Sequence, residues 1–525
     1  PQVEVPLQKD LQANIRISID FADNAELLDK IGRALKALRS EKKAMWKVLN
    51  AKGVFLGEGK PGKAAFLFTG QGSQYVNMLQ KLRQTEPIVA ETFREADEIM
   101  TPLLGRPLTD YIFIDSNDKE KVDQANYDLQ QTEITQPAML TADTALFRLA
   151  SEYGIQPDMV IGHSLGEYGA LVASNAMTFK DALLAVSARG HQMAKVKVED
   201  KGTMAAIFTS PDNINEILKG IKDYVVIANI NSYGQSVIGG STKGVEDAMI
   251  AAKAAGYHVA TLPVSHAFHT EIVAPASGPL REVLADFKLE KPQIPIISNV
   301  TGEFYPEKDG MREEMLDLLS QQVASPVQFV KGINKLYDKG VRIYVEMGPK
   351  KALNGFVRDI MTEKEDVANL FTNHPKIGDI ESFNQALCGL YAAGLGVGRV
   401  EESPVIPVAA SAQPVVSSQA YASDEPVVTA QRSVAPKFSG NKEDRYMELG
   451  KMFVDFLEKA DDKMQGGTGG RVQKDIWITG AAMGLPGVER VFTDENVKRI
   501  LRGDQFIQMI PKKYQEAMLE KNVTR

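Results

Sequence analysis

From Lys63 onward, short apolar runs alternate with stretches whose apolar positions recur at helical spacing. "KAAFLFTGQGSQ" reads as a buried strand, Ala64 to Phe68, that breaks into a glycine-rich loop. "MVIGHSLGEYGA" reads as a strand ending over Met159, Val160 and Ile161, with a helix after it. "QIPIISNV" and "RIYVEMGP" supply later strands. Alternation of buried strands with amphipathic helices predicts a parallel sheet with helices on its faces.

Other regions depart from that rhythm. Strands over Met204–Phe208, Val225–Asn231, Gln235–Ser241 and His258–Val264 enclose helices over Asp212–Ile221 and Lys243–Gly256. The order β-α-β-β-α-β predicts a ferredoxin-like subdomain inserted at about residues 200–264 of a larger domain spanning 61–400. Residues 1–60 carry a strand, "IRISIDF", and one long helix, "NAELLDKIGRALKALRSEKKAMWKVLNAKG", a small α/β element. Residues 401–440 are rich in Pro, Ala, Ser and Val and predict an extended linker. Within 441–465, Tyr446, Leu449, Phe453, Phe456 and Ala460 give a helix one apolar face, which packs either on its own chain or on a second one. "QGGTGG" then breaks the chain, and "DIWITGAAMGLPG" opens another strand–loop unit within 470–525.

Composition narrows the class. A chain of 525 residues has room for roughly three domains of ~150 residues. Hydrophobic residues at 44% and charged residues at 24% are ordinary for a soluble globular protein. No run approaches the ~20 apolar residues of a membrane span, so no membrane partner is expected. The net charge of −8 argues against nucleic acid as a partner. A single cysteine, Cys388, excludes an internal disulfide and a cysteine-based metal site, which fits a reducing, cytoplasmic setting. A first residue of Pro1, with no signal peptide visible, reads as a piece of a longer chain.

The chemistry centres on Ser164, set between Gly162 and Gly166 at the strand-to-helix corner. A serine hydroxyl is a poor nucleophile at neutral pH and needs a base and oxyanion donors. Flanking glycines permit the tight turn, and the following helix aims free N–H groups at the site, Leu165 N–H first among them. Of six histidines, His163 adjoins the serine and points the other way, His191 lies in a helix, His258 begins a strand and His374 sits in a loop. His266 and His269 in "VSHAFHTEI" stand at the boundary of the insert and are the candidates for the base. Arg189 shares a helix face with Ala182, Ala185, Val186, Met193 and Val196. An arginine on an apolar stripe either meets a protein carboxylate or snorkels, or it awaits a substrate carboxylate, which a guanidinium grips in bidentate fashion.

"FTGQGSQ", "TQPAMLTA", "GHSLGEY", "SARGHQM", "NSYGQSVIGG", "HAFH" and "SPVQF" occur here in the order found in malonyl-CoA:acyl-carrier-protein transacylases, and residues 62–395 resemble that family. The stretch before them, through "GVFLGEG", resembles the ketosynthase–acyltransferase linker of type I polyketide and polyunsaturated fatty acid synthases. The end of the chain resembles the start of a ketosynthase-like domain, too short to be complete and without a cysteine for condensation. The implied fold is α/β: an α/β-hydrolase-like parallel-sheet domain with the ferredoxin-like insert, plus the small N-terminal element.

The resemblance also implies roles. Ser164 is the acylated nucleophile, His269 the base in preference to His266, and Gln322 the residue whose backbone carbonyl orients the histidine. Gln71 and Leu165 N–H groups form the oxyanion hole. Arg189 binds the malonyl carboxylate, Gln136 and Asn231 line the pocket, and Phe268 fills space that a methyl branch would need. The lysines of "GPKK" (348–351) depart from the family's usual small residues; they meet coenzyme A phosphates or carrier protein, or they are simply solvated. The implied activity moves malonyl from coenzyme A to Ser164 and then to the phosphopantetheine thiol of an acyl carrier protein. No tightly bound cofactor or metal is expected; the carrier protein and adjoining ketosynthase domains are the partners. The rivals are a serine thioesterase or lipase-like hydrolase, and a catalytically silent docking fragment of a megasynthase.

Overall fold

The computed structural model describes residues 6–40, 44–306 and 311–397. The linker at 401–440, the helix at 441–465 and the ketosynthase-like start at 470–525 lie outside the described residues.

After a single helical turn at Gln8–Leu11 comes an antiparallel pair, β1 (Ile15–Ile19) on β2 (Val54–Glu58), with helix α1 (Asn24–Arg39) between them in sequence. Asp23 caps α1 by accepting from Glu26 N–H. The single long helix read here divides: α1 stops at Ser40, which is extended, and a separate helix covers Ala44–Asn50.

A parallel sheet follows, built from β3 (Lys63–Phe68), β4 (Met159–Gly162), β9 (Ile296–Ile297), β10 (Val341–Met347) and β11 (Ala368–Phe371) in the order β11-β10-β3-β4-β9. Side chains alternate across it. Phe66, Phe68, Val160 and Val345 enter the core on one face; Leu67, Ile161 and Tyr344 enter that on the other. Burial on both sides explains why these strands read as continuous apolar runs. Helices α2 (Thr132–Glu152), α3 (Gly166–Ala173) and α4 (Phe179–Ala194) pack beside the central strands.

Between α4 and β9 the chain makes a second sheet of four antiparallel strands, β5 (Thr203–Phe208), β6 (Val225–Ser232), β7 (Gln235–Gly240) and β8 (His258–Thr261). Their order is β6-β7-β5-β8, and helices α5 (Pro211–Leu218) and α6 (Thr242–Ala254) complete the β-α-β-β-α-β chain path. β8 ends at Thr261 rather than Val264, because Pro263 has no N–H to continue the ladder. Ile230 N–H donates to Val327 O at 2.9 Å and Val327 N–H to Ala228 O at 2.9 Å, which ties this sheet to the main domain. Helices α7 (Ser277–Ala285), α8 (Met311–Gln321) and α9 (Asp379–Ala392) complete the parts used below.

Candidate active site

β4 delivers the chain to a sharp corner. Ser164 has φ +53°, in the left-handed region that non-glycine residues seldom occupy. A Cβ on Gly162 would lie 2.0 Å from Glu167 N, and one on Gly166 would lie 2.1 Å from Phe68 O, so both positions demand glycine. Ser164 N–H donates to Asn299 Oδ1 at 2.5 Å, while Asn299 Nδ2 donates to Gly162 O at 2.7 Å; one side chain clamps both sides of the corner.

His269 Nε2 stands 2.7 Å from Ser164 Oγ. Its Nδ1 lies 2.9 Å from Gln322 O and 3.1 Å from Ser325 O. Two carbonyls can only accept, so Nδ1 carries the proton and Nε2 offers its lone pair to the serine hydroxyl. His269 is itself held at φ +61°, with its N–H on Val323 O at 2.8 Å. Burial, with the Arg189 guanidinium second, pushes its pKa down to about 3, so the imidazole rests neutral. His266 makes no such contact: its Nδ1 meets Ser265 Oγ at 3.1 Å, and its Nε2 is buried without a partner.

α4 places Arg189 beneath the serine, 1% exposed. Nη2 donates to Gln322 Oε1 at 3.2 Å and approaches Ser164 Oγ at 3.4 Å. Nε and Nη1 are buried with no partner. Among the described residues no carboxylate pairs with this guanidinium directly. Burial pushes the Arg189 pKa down, against the electrostatic influence of Tyr168 and of Glu167, both on α3, and the amide of Gln322 lies between Glu167 and the guanidinium. Burial pushes the Glu167 carboxyl up to about 7, against the hydrogen bonds of Tyr305, Gln322 and Asn299 and the charge of Arg189.

The other expected residues fall as follows. Among the described residues, no protein acceptor takes the N–H of Leu165 or of Gln71. The Gln71 loop lies against the corner: a Cβ on Gly70 would lie 2.5 Å from His163 O. The loop is fixed at its start by Asp143, which accepts Thr69 N–H at 2.7 Å and Thr69 Oγ at 2.6 Å. Gln136 Nε2 reaches Gln71 Oε1 at 3.4 Å and Met193 Sδ at 3.8 Å, while its own Oε1 is buried without a partner. Asn231 Oδ1 is taken by His163 Nε2 at 2.8 Å. That contact sets Asn231 at the junction of insert and corner, and no hydrogen bond joins it to Ser164, His269 or Arg189. His163 points away from the Ser164–His269 pair, its ring centroid 5.4 Å from that of Phe329. Phe268 is buried, with its ring 6.3 Å from His266. Lys350 Nζ donates to Gly72 O at 3.0 Å, so that lysine braces the Gln71 loop.

Sequence reasoning missed Glu167, Asn299 and Tyr305. Glu167 had a signal: it is the one charged side chain in "GEYGALVA", a helix with almost every position buried. Asn299 and Tyr305 gave none, because they come from loops joined to the corner only in three dimensions.

With this geometry in hand, comparison with known proteins is decisive. The acyl transferase domain family matches residues 65–383. The chain belongs to that family. The malonyl CoA-acyl carrier protein transacylase of Bacillus subtilis is 39% identical over 314 residues, which cover 58% of this chain and 93% of that one. The acyltransferase domain from the second module of the salinomycin polyketide synthase superposes with a TM-score of 0.60 at 28% identity, over 74% of this chain and 84% of its own. A malonyl-transacylase solved in complex with its type II polyketide acyl carrier protein superposes with a TM-score of 0.54 at 32% identity, over 62% and 99%. The acyltransferase fold accounts for the parallel sheet and for the resemblance carried by the sequence motifs.

Proposed function

We propose that this acyltransferase moves a malonyl group from malonyl-CoA to the phosphopantetheine thiol of an acyl carrier protein, through an ester on Ser164. Ser164 Oγ attacks the thioester carbonyl while His269 Nε2 takes its proton. The oxyanion is met by the N–H groups of Leu165 and Gln71. Collapse breaks the C–S bond, and His269 returns the proton to the departing coenzyme A sulfur. The carrier thiol then gives its proton to His269, attacks the ester, and Ser164 leaves with that proton.

The observation that carries the donor assignment is Arg189: buried, without a carboxylate partner, and 3.4 Å from Ser164 Oγ. Burying an unpaired charge is costly, and a malonyl carboxylate supplies the missing partner. Against a thioesterase triad, both Nδ1 partners of His269 are backbone carbonyls rather than an acid. Against a silent docking fragment stands the intact nucleophile, base and arginine. The transacylase relatives and the carrier-protein complex support the acceptor. Coenzyme A and phosphopantetheine enter as parts of substrates, and the chemistry written above requires no resident cofactor. Among the described residues no helix is long and apolar enough to cross a membrane, and no cluster of three His, Cys, Asp or Glu could hold a metal. The ketosynthase-linker resemblance of residues 1–60 supports placement in a multidomain synthase, with ketosynthase domains as neighbours.

Rapid mixing with malonyl-CoA tests this reading. A burst of acyl-enzyme that waits for carrier protein supports it; continuous release of free malonate without carrier protein points to the hydrolase instead.

A further inference from the structure

Three donors converge on the Glu167 carboxyl. The Tyr305 hydroxyl donates to Oε1; Gln322 Nε2 and Asn299 N–H donate to Oε2, at 2.5 and 3.3 Å. An ionised carboxylate has only acceptors and satisfies all three. The Gln322 amide is thereby fixed. Its nitrogen is committed to Glu167 and to Ser164 O at 2.9 Å, so its oxygen is the end that meets Arg189 Nη2 at 3.2 Å. Half a turn of that amide would set an NH2 group against the guanidinium, donor against donor. Gln322 also performs a separate task, since its backbone carbonyl holds His269 Nδ1.

We propose that Glu167 is a positioning residue for recognition of the substrate carboxylate: it locks the Gln322 amide so that Arg189 is held through Nη2, without a protein carboxylate taking the place of the malonyl group. A direct Glu–Arg pair would occupy the guanidinium and spend its charge within the protein. The interposed amide keeps negative charge close enough to favour a buried cation, yet leaves its other nitrogens unoccupied. Serine acylation itself depends on the Gln322 backbone, which a change at Glu167 does not remove. The two functions of Gln322 can therefore be separated by experiment.

The proposal rests on Arg189 meeting the malonyl carboxylate. Rates of Ser164 acylation are measured against concentration for malonyl-CoA and for acetyl-CoA in Glu167→Gln, Gln322→Ala and Arg189→Ala. Glu167→Gln should raise the half-saturating malonyl-CoA concentration about tenfold, the loss expected of one hydrogen bond to a charged group. Its effect on acetyl-CoA should be under about threefold, because that substrate brings no carboxylate. Gln322→Ala keeps the carbonyl and deletes the amide; whatever it costs both thioesters in common, its malonyl-to-acetyl ratio of half-saturating concentrations should rise as in Glu167→Gln, and that ratio serves as the test if Glu167→Gln does not fold. Equal losses with both thioesters, or no loss with either, would overturn the proposal. A malonyl-to-acetyl ratio unchanged in Arg189→Ala would overturn the underlying reading of Arg189 as well.

Discussion

Two arginines in this molecule meet opposite surroundings. On the α7–α8 surface, Arg281 gives Nε to Asp317 at 2.7 Å and Nη2 to Glu313 at 2.9 Å, with its side chain 39% exposed. Under the corner, Arg189 is buried, touches one amide oxygen and one serine hydroxyl, and keeps two nitrogens without partners. The exposed arginine has two carboxylates and little need of them, because water screens the charge. The buried one needs a carboxylate and lacks it. A fold tolerates such a deficit where a ligand makes it good, so the number of partners matters less than the partner that is missing.

The largest effect expected at the buried region is on the nucleophile. Ser164→Ala should abolish the acyl-enzyme seen by intact-mass analysis and lower transfer below about one thousandth of wild type, with the fold retained. Undiminished malonylation would place the nucleophile elsewhere. Next comes the base: His269→Ala should slow transfer by ~10²-fold or more, while His266→Ala should cost far less. Equal losses would mean that the carbonyl-bound Nδ1 does not mark the base.

Arg189→Ala sharpens the comparison directly. A buried charge that loses its partner costs ~2–5 kcal/mol. The malonyl-over-acetyl ratio of kcat/KM should therefore fall by at least about 30-fold, read by competing the two thioesters for Ser164. A smaller effect appears in the pH profile. The general base must be unprotonated to accept from Ser164, and burial together with Arg189 holds His269 down to about 3. Acetylation of wild type should thus show no acid limb near the usual histidine value of ~6.5. Arg189→Ala removes one of the causes that lower the pKa, so any acid limb should move to higher pH; a shift downward would contradict the assignment. The smallest effect belongs to the surface: Arg281→Ala should change stability by under ~1 kcal/mol in denaturant titration and leave transfer unaltered.

How much of this was legible in the sequence depended on distance along the chain. Ser164, Gly162, Gly166 and Leu165 form one local corner, and a single run of residues displays them. Arg189 was visible as a cation on an apolar helix face; spacing alone left its two readings open, the family resemblance favoured the substrate carboxylate, and its burial and unpartnered nitrogens support that reading. Spacing alone could not separate His266 from His269; the family resemblance favoured His269, and the contacts that set it apart, with Gln322 and Ser325, lie 53 and 56 residues beyond it. Glu167 offered a weak local cue, whereas Asn299 and Tyr305 offered none, because their only link to the corner is through folding. Element ends differed from the sequence reading at Ser40, whose extended backbone ends α1, and at Pro263, which shortens β8.

The central claim is that Ser164 carries malonyl between two thiols. Intact-mass analysis of the wild-type chain, first with malonyl-CoA alone and then after adding carrier protein bearing phosphopantetheine, tests it most directly. The account predicts a single malonyl adduct on Ser164 that persists until carrier protein is added, then disappears as malonyl mass arrives on the carrier. An adduct on another residue, or one lost equally fast to water alone, would contradict it.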